Sequence, residues 1–290
     1  MKDTPEGRCG FVALLGRPNV GKSTLLNRLL GQKIAITSKK PQTTRNRILG
    51  IQHLPRAQII YMDTPGLHAP KAELNRRMVG EARRAALECD LAAMMIEAGK
   101  PWQAEDLLAL DLIEGLKVPR LLIVNKVDLV PRASVLPVIE HAAGLGLFAE
   151  IVPVSALKGE NLDRLTQAAL AHLPEGEPLF PEDMVTDQAE RFWAAEMIRE
   201  QAVRLLREEL PYSTGVVMEE FEETADLIRL RARLLVARES QKGIVIGKAG
   251  AMVKKIGTRA REQLEKFWGK KVYLELQVKV EPEFWREPGK

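Results

Sequence analysis

The stretch from Gly16 to Ser23 constrains the fold of this 290-residue chain more than any other part of the sequence. It reads GRPNVGKS, follows an apolar run from Phe11 to Leu15 and precedes leucines at helical spacing. Strand, glycine-rich turn and helix in this order are the context of a phosphate-binding loop. The glycines let successive N–H groups face an anion, and the helix N-terminus adds partial positive charge. We therefore expect this stretch to hold the phosphates of a nucleotide.

Two side chains of this loop have specific expected tasks. Lys22 would reach the β- and γ-phosphates, and the hydroxyl of Ser23 would hold Mg²⁺. The expected nucleotide-binding residues here are Gly16, Arg17, Pro18, Asn19, Val20, Gly21, Lys22, Ser23 and Thr24. Because the pattern also occurs by chance, the rest of the chain has to identify the nucleotide.

Short strands alternate with helical segments as far as about residue 175. Strands are predicted at 10–15, 46–52, 57–62, 91–96, 120–125 and 150–154, with helices at 22–30, 71–88, 102–115, 134–143 and 161–172. This alternation predicts a three-layer α/β domain with a mostly parallel sheet. Ligands of such sheets bind in the loops at the carboxyl ends of the strands.

A second candidate motif, comprising Asp63, Thr64, Pro65 and Gly66, ends the strand at 57–62. Asp63 can hold Mg²⁺ through water, and the Gly66 N–H can reach a γ-phosphate. Taken alone, the motif is equally compatible with an ordinary surface turn.

The polar segment at 38–45 suits a mobile loop that responds to the nucleotide. A threonine in it can bind Mg²⁺ only while the γ-phosphate is present, which orders the loop in one nucleotide state. Thr44 is the first choice for this ligand and Thr43 the second. The expected catalytic residues are Lys22, Thr44, Asp63 and Gly66, and the expected metal ligands are Ser23, Thr44 and Asp63.

Two further motifs predict that the base is guanine. Asp128 can accept hydrogen bonds from both the ring N–H and the amine of guanine, and adenine offers neither arrangement. In the same motif, the Lys126 stem would lie over the base and Asn125 would brace the loop. A backbone N–H of the second motif, formed by Ser155, Ala156 and Leu157, would reach the guanine oxygen. The expected ligand is therefore GTP or GDP.

These five elements resemble those of the translation-factor-related small GTPases. The resemblance implies their fold, their Mg²⁺ requirement and their switching loops. Leu67 is a departure, because Ras-like enzymes carry there the glutamine that orients the attacking water. Unaided hydrolysis should therefore be slow. Relatives with an asparagine at the position of Asn19 use a potassium ion near the phosphates, so the resemblance also implies K⁺.

The second half differs in kind and begins after a proline-rich stretch at 174–181. We predict a helix from Ala189 to Leu210 ended by Pro211, two strands, a Gly-x-x-Gly turn between two helices, and a last strand. The resulting division is 1–176 for the GTPase domain, 177–188 for the linker and 189–290 for an α+β RNA-binding domain. The order α-β-β-α-α-β with this turn resembles the bacterial type of KH domain.

Charge supports nucleic-acid binding by this second half. Residues 229–279 carry 14 Lys/Arg against 4 Asp/Glu, whereas residues 182–226 carry 4 against 13, although the net charge of the whole chain is only +4. In a KH turn the glycines let the backbone approach about four single-stranded nucleotides. A lysine-rich helix is often merely solvated, but this clustering fits a polyanion better. The expected RNA-binding residues are Arg229, Arg231, Ile246, Gly247, Lys248, Ala249, Gly250, Lys254, Lys255 and Arg259.

The two halves together resemble the Era family of bacterial Ras-like GTPases. The resemblance implies binding to the single-stranded 3′ region of 16S rRNA, assistance to 30S subunit maturation, a monomeric state and peripheral contact with the inner membrane. No apolar run reaches the ~20 residues of a membrane span, and the first residues lack a signal peptide, so the expected location is cytoplasmic.

Two other interpretations remain open. The chain could be a membrane-associated signalling GTPase whose second domain binds protein, or an RNA-modification GTPase that docks through the KH-like domain. The second is weakened by the lack of a separate catalytic cluster in the sequence.

Overall fold

The computed structural model describes residues 7–38, 44–67, 73–206, 210, 214–282 and 284. Its internal contacts divide the chain into two compact units. The first comprises Met1–Ala35 and Thr44–Asp187, and the second comprises Ile36–Thr43 and Gln188–Lys290. Of the described residues before Thr44, residues 36–38 thus group with the second unit, although they lie inside the sequence of the GTPase domain.

The first unit is a six-stranded sheet with helices, as expected for a three-layer α/β domain. Its strands are β1 (Arg8–Leu15), β2 (Ile48–Leu54), β3 (Ala57–Asp63), β4 (Leu91–Glu97), β5 (Arg120–Asn125) and β6 (Glu150–Val154). Its helices are α1 (Lys22–Leu29), α2 (Glu73–Glu88), α3 (Ala104–Glu114), α4 (Leu136–Gly144) and α5 (Leu162–His172). The strand order is β2-β3-β1-β4-β5-β6, and only the β2–β3 pair is antiparallel. The predicted fold class is confirmed.

The central strands are apolar on both faces because helices cover both sides of the sheet. All residues of β4 are buried, as are the last residues of β3 and β5. Neighbouring parallel strands in this order bring the carboxyl ends of β1, β3, β4 and β5 to one edge. The motifs that follow these strands therefore meet at the same edge.

The proline-rich stretch packs on the first unit instead of crossing freely to the second. The buried Gln58 side chain accepts hydrogen bonds from the backbone N–H groups of Leu179 and Phe180 at 2.8 and 3.0 Å. Further along, the Ile51 N–H donates to the carbonyl oxygen of Val185 at 2.8 Å. Residues expected as a linker thus group with β2 and β3, which explains why the first unit extends to Asp187.

The second unit has the predicted order α-β-β-α-α-β. Its elements are α6 (Glu190–Leu205), β7 (Thr214–Glu223), β8 (Leu227–Val236), α7 (Glu239–Ile246), α8 (Ala251–Trp268) and β9 (Lys271–Val280). Strand β8 pairs antiparallel with β7 and parallel with β9, and its buried face packs with residues of α6 and α8. The prediction that α6 runs to Leu210 is wrong, because Leu206 is extended with ψ 156°.

None of the described helices combines the length and the apolar character needed to cross a bilayer.

Candidate guanine-nucleotide site and nucleic-acid surface

The predicted phosphate loop joins β1 to α1 with the left-handed turns that its glycines allow. Gly16 has φ 146° and Gly21 has φ 113°. A Cβ on Gly16 would lie 2.5 Å from the carbonyl oxygen of Met95, so the turn also packs too closely on β4 for a side chain. Lys22 closes the loop by donating to the carbonyl oxygens of Gly16 and Arg17 at 3.0 and 3.1 Å.

Two buried charges face each other where the phosphates are expected. Burial lowers the pKa of Lys22 to about 8, against the opposing attraction of Asp63. Burial also raises the pKa of Asp63, although Lys22 and the hydroxyls of Ser23 and Thr44 oppose the rise. The Lys22 ammonium and the Asp63 carboxylate are therefore both poorly solvated. A bound anion and a bound cation would stabilise their charges in place of water.

The structure brings the three predicted metal ligands together. Ser23 Oγ lies 2.6 Å from Asp63 Oδ2 and 2.9 Å from Thr44 Oγ1, and Thr44 Oγ1 lies 3.4 Å from Asp63 Oδ2. Among the described residues Asp63 Oδ1 is buried and accepts no hydrogen bond. An oxygen-only cluster with an unsatisfied carboxylate atom fits Mg²⁺. Thr43, the second choice, lies outside the described residues.

The motif after β3 packs against the phosphate loop. A Cβ on Gly66 would lie 2.6 Å from the Pro18 nitrogen, and the Leu67 N–H donates to the Gly16 carbonyl oxygen at 3.1 Å. Thr64 donates its hydroxyl to the Leu14 carbonyl oxygen at 2.6 Å, so its side chain ties the motif to β1. The Leu67 side chain is only 3% exposed and belongs to the apolar core.

The predicted base-recognition residues also converge. Asn125 donates to the Val20 carbonyl oxygen at 2.8 Å and accepts from the Ala156 N–H at 2.9 Å. Ser155 donates to Asp128 Oδ1 at 2.6 Å, which orients that carboxylate. Leu157 is mostly exposed, and Ala156 is buried. One side chain thus links the phosphate loop to both base-binding motifs, the arrangement that guanine recognition requires.

A residue that sequence reasoning missed, Glu97, lies between these loops at the end of β4. It accepts from Arg17 at 2.7 Å, and its ion pairs with Lys100 and Lys126 measure 2.8 and 3.1 Å. Burial alone would raise its pKa, but the hydrogen bonds from Lys100, Lys126 and Arg17 outweigh it and lower the pKa to about 2. A single acid ending an otherwise apolar strand, LAAMMIE, was the available signal.

The Arg17 side chain is held by carboxylates. Besides its bond to Glu97, its Nε lies 3.4 Å from Asp106 Oδ1. Both carboxylates are buried, so the guanidinium is neutralised within the protein. We therefore expect the contribution of Arg17 to phosphate binding to come from its backbone.

In the second unit the Gly-x-x-Gly turn joins α7 to α8 through left-handed backbone. Gly247, Ala249 and Gly250 have φ 74°, 50° and 77°. A Cβ on Gly247 would lie 2.8 Å from the Cβ of Met252. Ile246 ends α7 half-buried, and Lys248 and Ala249 are exposed at the tip. The turn therefore presents backbone and one cation to solvent, as binding a nucleic-acid backbone requires.

A groove of about 270 Å³ lies between α8 and β9. It is lined by Val253, Lys254, Gly257, Thr258, Arg261, Leu274 and Leu276. Only Lys254 of these was predicted to bind RNA; Lys255 and Arg259 are exposed on α8 but do not line the groove. A half-buried apolar wall with a polar rim can accept a base and its phosphate.

The structure does not bring Arg229 and Arg231 to this groove. On β8 they alternate with Ile228 and Leu230, whose face packs with the helices, so the two arginines lie on the opposite face of the sheet. Arg231 forms ion pairs with Glu220 and with Glu275, the latter at 3.2 Å. Cross-strand ion pairing is therefore the observed role of Arg231.

Family models match both units. One described as "50S ribosome-binding GTPase" matches residues 11–126, and one described as "KH domain" matches residues 209–284. The "GTPase Era" of Geotalea uraniireducens (strain Rf4) is 51% identical over 282 residues, covering 97% of this chain and 94% of the relative. That of Syntrophus aciditrophicus (strain SB) is 46% identical over 283 residues, covering 97% and 92%.

Solved structures show the same similarity. One is described as "Crystal structure of Era in complex with MgGDPNP and nucleotides 1506-1542 of 16S ribosomal RNA"; its TM-score is 0.93, with 45% identity over 97% of this chain and 96% of that chain. An Aquifex aeolicus Era variant bound to GDP and aluminium fluoride has a TM-score of 0.92, with 46% identity over 97% and 96%.

Proposed function

The chain belongs to the Era family of GTPases, and we propose that it binds the 3′ region of 16S rRNA and assists maturation of the 30S ribosomal subunit. It binds guanine nucleotides with Mg²⁺ and hydrolyses GTP to GDP and phosphate. The observation that carries the proposal is one chain holding both the guanine-binding loops and the Gly-x-x-Gly turn beside a groove. The Era structure that contains 16S rRNA nucleotides supports the same target.

Each part of the first unit has a task in hydrolysis. Ser23 and Thr44 would hold Mg²⁺ directly and Asp63 through water, and the metal would neutralise charge on the β- and γ-phosphates. Lys22 would exchange its backbone partners for phosphate oxygens, and the Gly66 N–H would face the γ-phosphate. The buried Leu67 leaves its position without a side chain that can orient water, so hydrolysis should be slow.

We assign single-stranded RNA binding to the second unit. The backbone at Gly247–Gly250 would pack on phosphates and sugars, and Lys248 and Lys254 would add charge. Bases would stack in the groove against Val253, Leu274 and Leu276, since apolar side chains bind unstacked bases.

The nucleotide is proposed to control this RNA binding through the segment before Thr44. The Thr37 N–H donates to Glu200 Oε1 at 3.0 Å, and Arg204 donates to the Thr37 carbonyl oxygen at 3.2 Å. Glu200 is fully buried and also accepts from Gln263 at 2.7 Å. The second unit therefore holds the chain a few residues before a proposed Mg²⁺ ligand. Loss of the bond between Thr44 and Mg²⁺ can shift the conformational equilibrium of the second unit only if the GTP and GDP states interact with its conformations differently.

Equilibrium binding of a labelled RNA carrying the 3′ end of 16S rRNA tests the proposal. We expect tighter binding with a GTP analogue than with GDP, and weaker binding of a scrambled RNA of equal length. Replacement of Glu200 by Gln should reduce the difference between nucleotides, while Glu196→Gln, which breaks an Arg199 ion pair on the same helix, should leave it. Equal affinities for both RNAs would reject the rRNA target, and equal affinities in both nucleotide states would reject the control by nucleotide.

The cellular setting is proposed on the family resemblance alone. We propose that the protein acts as a cytoplasmic monomer on the 30S subunit and contacts the inner membrane peripherally. Co-sedimentation with 30S particles and with washed membrane vesicles would test the two contacts separately.

A further inference from the structure

The charged cluster around Glu97 lies between the two halves of the nucleotide site. Strand β4 runs between β1, which leads into the phosphate loop, and β5, which leads into the base-recognition loop. Glu97 is the last residue of β4 and pairs in register with Asn125 of β5. Its carboxylate therefore stands between Arg17 of one loop and Lys126 of the other.

The contacts of this carboxylate are divided between its two oxygens. Oε2 accepts from Arg17 at 2.7 Å and lies 3.1 Å from Lys126 Nζ, while Oε1 lies 2.8 Å from Lys100 Nζ. Side-chain exposure is 9% for Glu97, 10% for Arg17 and 27% for Lys126, whereas Lys100 is 50% exposed. The Arg17 and Lys126 contacts are thus the less solvated ones, and charge-assisted bonds are strongest where water is excluded.

The backbone of Lys126 adds a second observation. Lys126 has φ 67°, a left-handed conformation that is uncommon for a residue with a side chain. Such a conformation persists when its surroundings enforce it, and it often marks a functional position. Here the Glu97 carboxylate holds the end of the Lys126 side chain, so the four-carbon stem has a fixed course beside the loop that recognises the base.

We propose that Glu97 is a positioning residue for guanine-nucleotide binding, which acts by holding Lys126 so that its stem covers the base. Arg17 fixes the carboxylate from the side of the phosphate loop. The inference rests on guanine-nucleotide binding and is independent of the RNA target in the proposed function. If Glu97 served only to keep the first unit folded, its replacement would affect GDP binding equally with and without the Lys126 side chain.

The test is a double-mutant cycle in the full-length protein, with the dissociation constant and dissociation rate of fluorescent GDP as readouts. We expect Glu97→Gln to weaken GDP binding about ten-fold, because a bond to a charged group is lost. In a Lys126→Met background the same change should have less than about a two-fold effect. The matched control is Glu150→Gln on β6, which breaks the Arg164 ion pair at 2.5 Å and should leave GDP binding unchanged.

The proposal would be overturned if Glu97→Gln weakened GDP binding equally in the wild-type and Lys126→Met backgrounds. It would also be overturned if Glu97→Gln left GDP binding unchanged. If the glutamine variant does not fold by circular dichroism, Glu97→Asp replaces it, because aspartate keeps the charge but is one methylene shorter. That variant should also weaken GDP binding and should depend on Lys126 in the same way; independence from Lys126 would contradict the inference. If the unsubstituted protein binds GDP but does not bind the 3′ region of 16S rRNA, only the proposed rRNA function fails and the inference about Glu97 stands.

Discussion

Asn125 Nδ2 donates to the carbonyl oxygen of Val20 at 2.8 Å, and this bond joins the base-recognition loop to the phosphate loop. Replacing Asn125 by Ala would leave that carbonyl and the Ala156 N–H, both buried, without this partner. We expect affinity for GDP and GTP to fall roughly 10- to 100-fold, since an unsatisfied buried group costs about 1–3 kcal/mol. Measured dissociation rates of GDP and GTP would show this loss of affinity.

The control for the Asn125 variant is Thr186→Val. It removes a hydroxyl bond of 2.7 Å to the Leu49 carbonyl oxygen, away from the nucleotide site. A similar loss of affinity in both variants would mean that general destabilisation is the cause.

Asp128→Asn should change the base preference of the site. The carboxylate, oriented by Ser155 at 2.6 Å, is proposed to accept from two donors of guanine, and an amide presents a donor in place of one acceptor. We expect GDP affinity to fall by about 100-fold or more while xanthosine diphosphate gains affinity, because it carries an oxygen where guanine has its amine. Competition binding with both nucleotides measures the switch, and parallel losses for both would contradict it.

Leu67→Gln should not accelerate hydrolysis, although glutamine is the water-orienting residue of Ras-like enzymes. The Leu67 side chain is 3% exposed and packs in the core, so an amide there would be buried away from the phosphates. We expect a loss of about 1–3 kcal/mol in the free energy of unfolding and no gain in the rate constant. Urea unfolding and single-turnover hydrolysis measure the two, with Leu67→Met as the apolar control. A faster variant would show that the loop turns Leu67 outward in the GTP state.

Potassium should stimulate hydrolysis. Asn19 lies in the phosphate loop with φ 61° and is exposed, so it stands at the loop surface. We expect the single-turnover rate to rise with KCl but not with NaCl at constant ionic strength. Asn19→Gly tolerates the same backbone conformation and should abolish the difference between the two salts. Identical rates in both salts would exclude a potassium site.

Lys248 and Lys254 should set the salt dependence of RNA binding. Replacing both by Gln would remove two proposed phosphate contacts, so the magnitude of the slope of log affinity against log salt should fall by about 1.4. The control pair is Lys266→Gln with Lys271→Gln, exposed cations in the last turn of α8 and at the start of β9. Binding titrations at several KCl concentrations give the slopes. Equal slopes for the two pairs would indicate that the turn does not contact the RNA.

The strands of the first unit could be predicted to within about two residues from apolar runs, because burial on both faces leaves few other arrangements. The location of the nucleotide site could be predicted in the same way, because motifs that follow parallel strands meet at one edge of the sheet. The acid that ends an apolar strand marks Glu97 in the sequence, but its partners could not be predicted, because a single acid has no spacing that indicates them.

The second unit shows a different limit. Alternation on β9 indicates that Leu274 and Leu276 share a face, but it does not indicate which part of that face a helix leaves uncovered. The same holds for Arg231, whose two carboxylate partners come from strands on either side of β8. Pairing between strands is set by register, which composition does not reveal.

The close approach of Gly21 to Asn125 limits which substitutions the nucleotide site can accept. A Cβ at residue 21 would lie 2.3 Å from Asn125 Nδ2, so any larger residue at 21 displaces the amide that joins the loops. A substitution in the phosphate loop at residue 21 would therefore also weaken the bond between Asn125 and the Val20 carbonyl oxygen. Residues 21 and 125 lie 104 positions apart in the sequence, yet a side chain added at one would disturb the guanine pocket through the other.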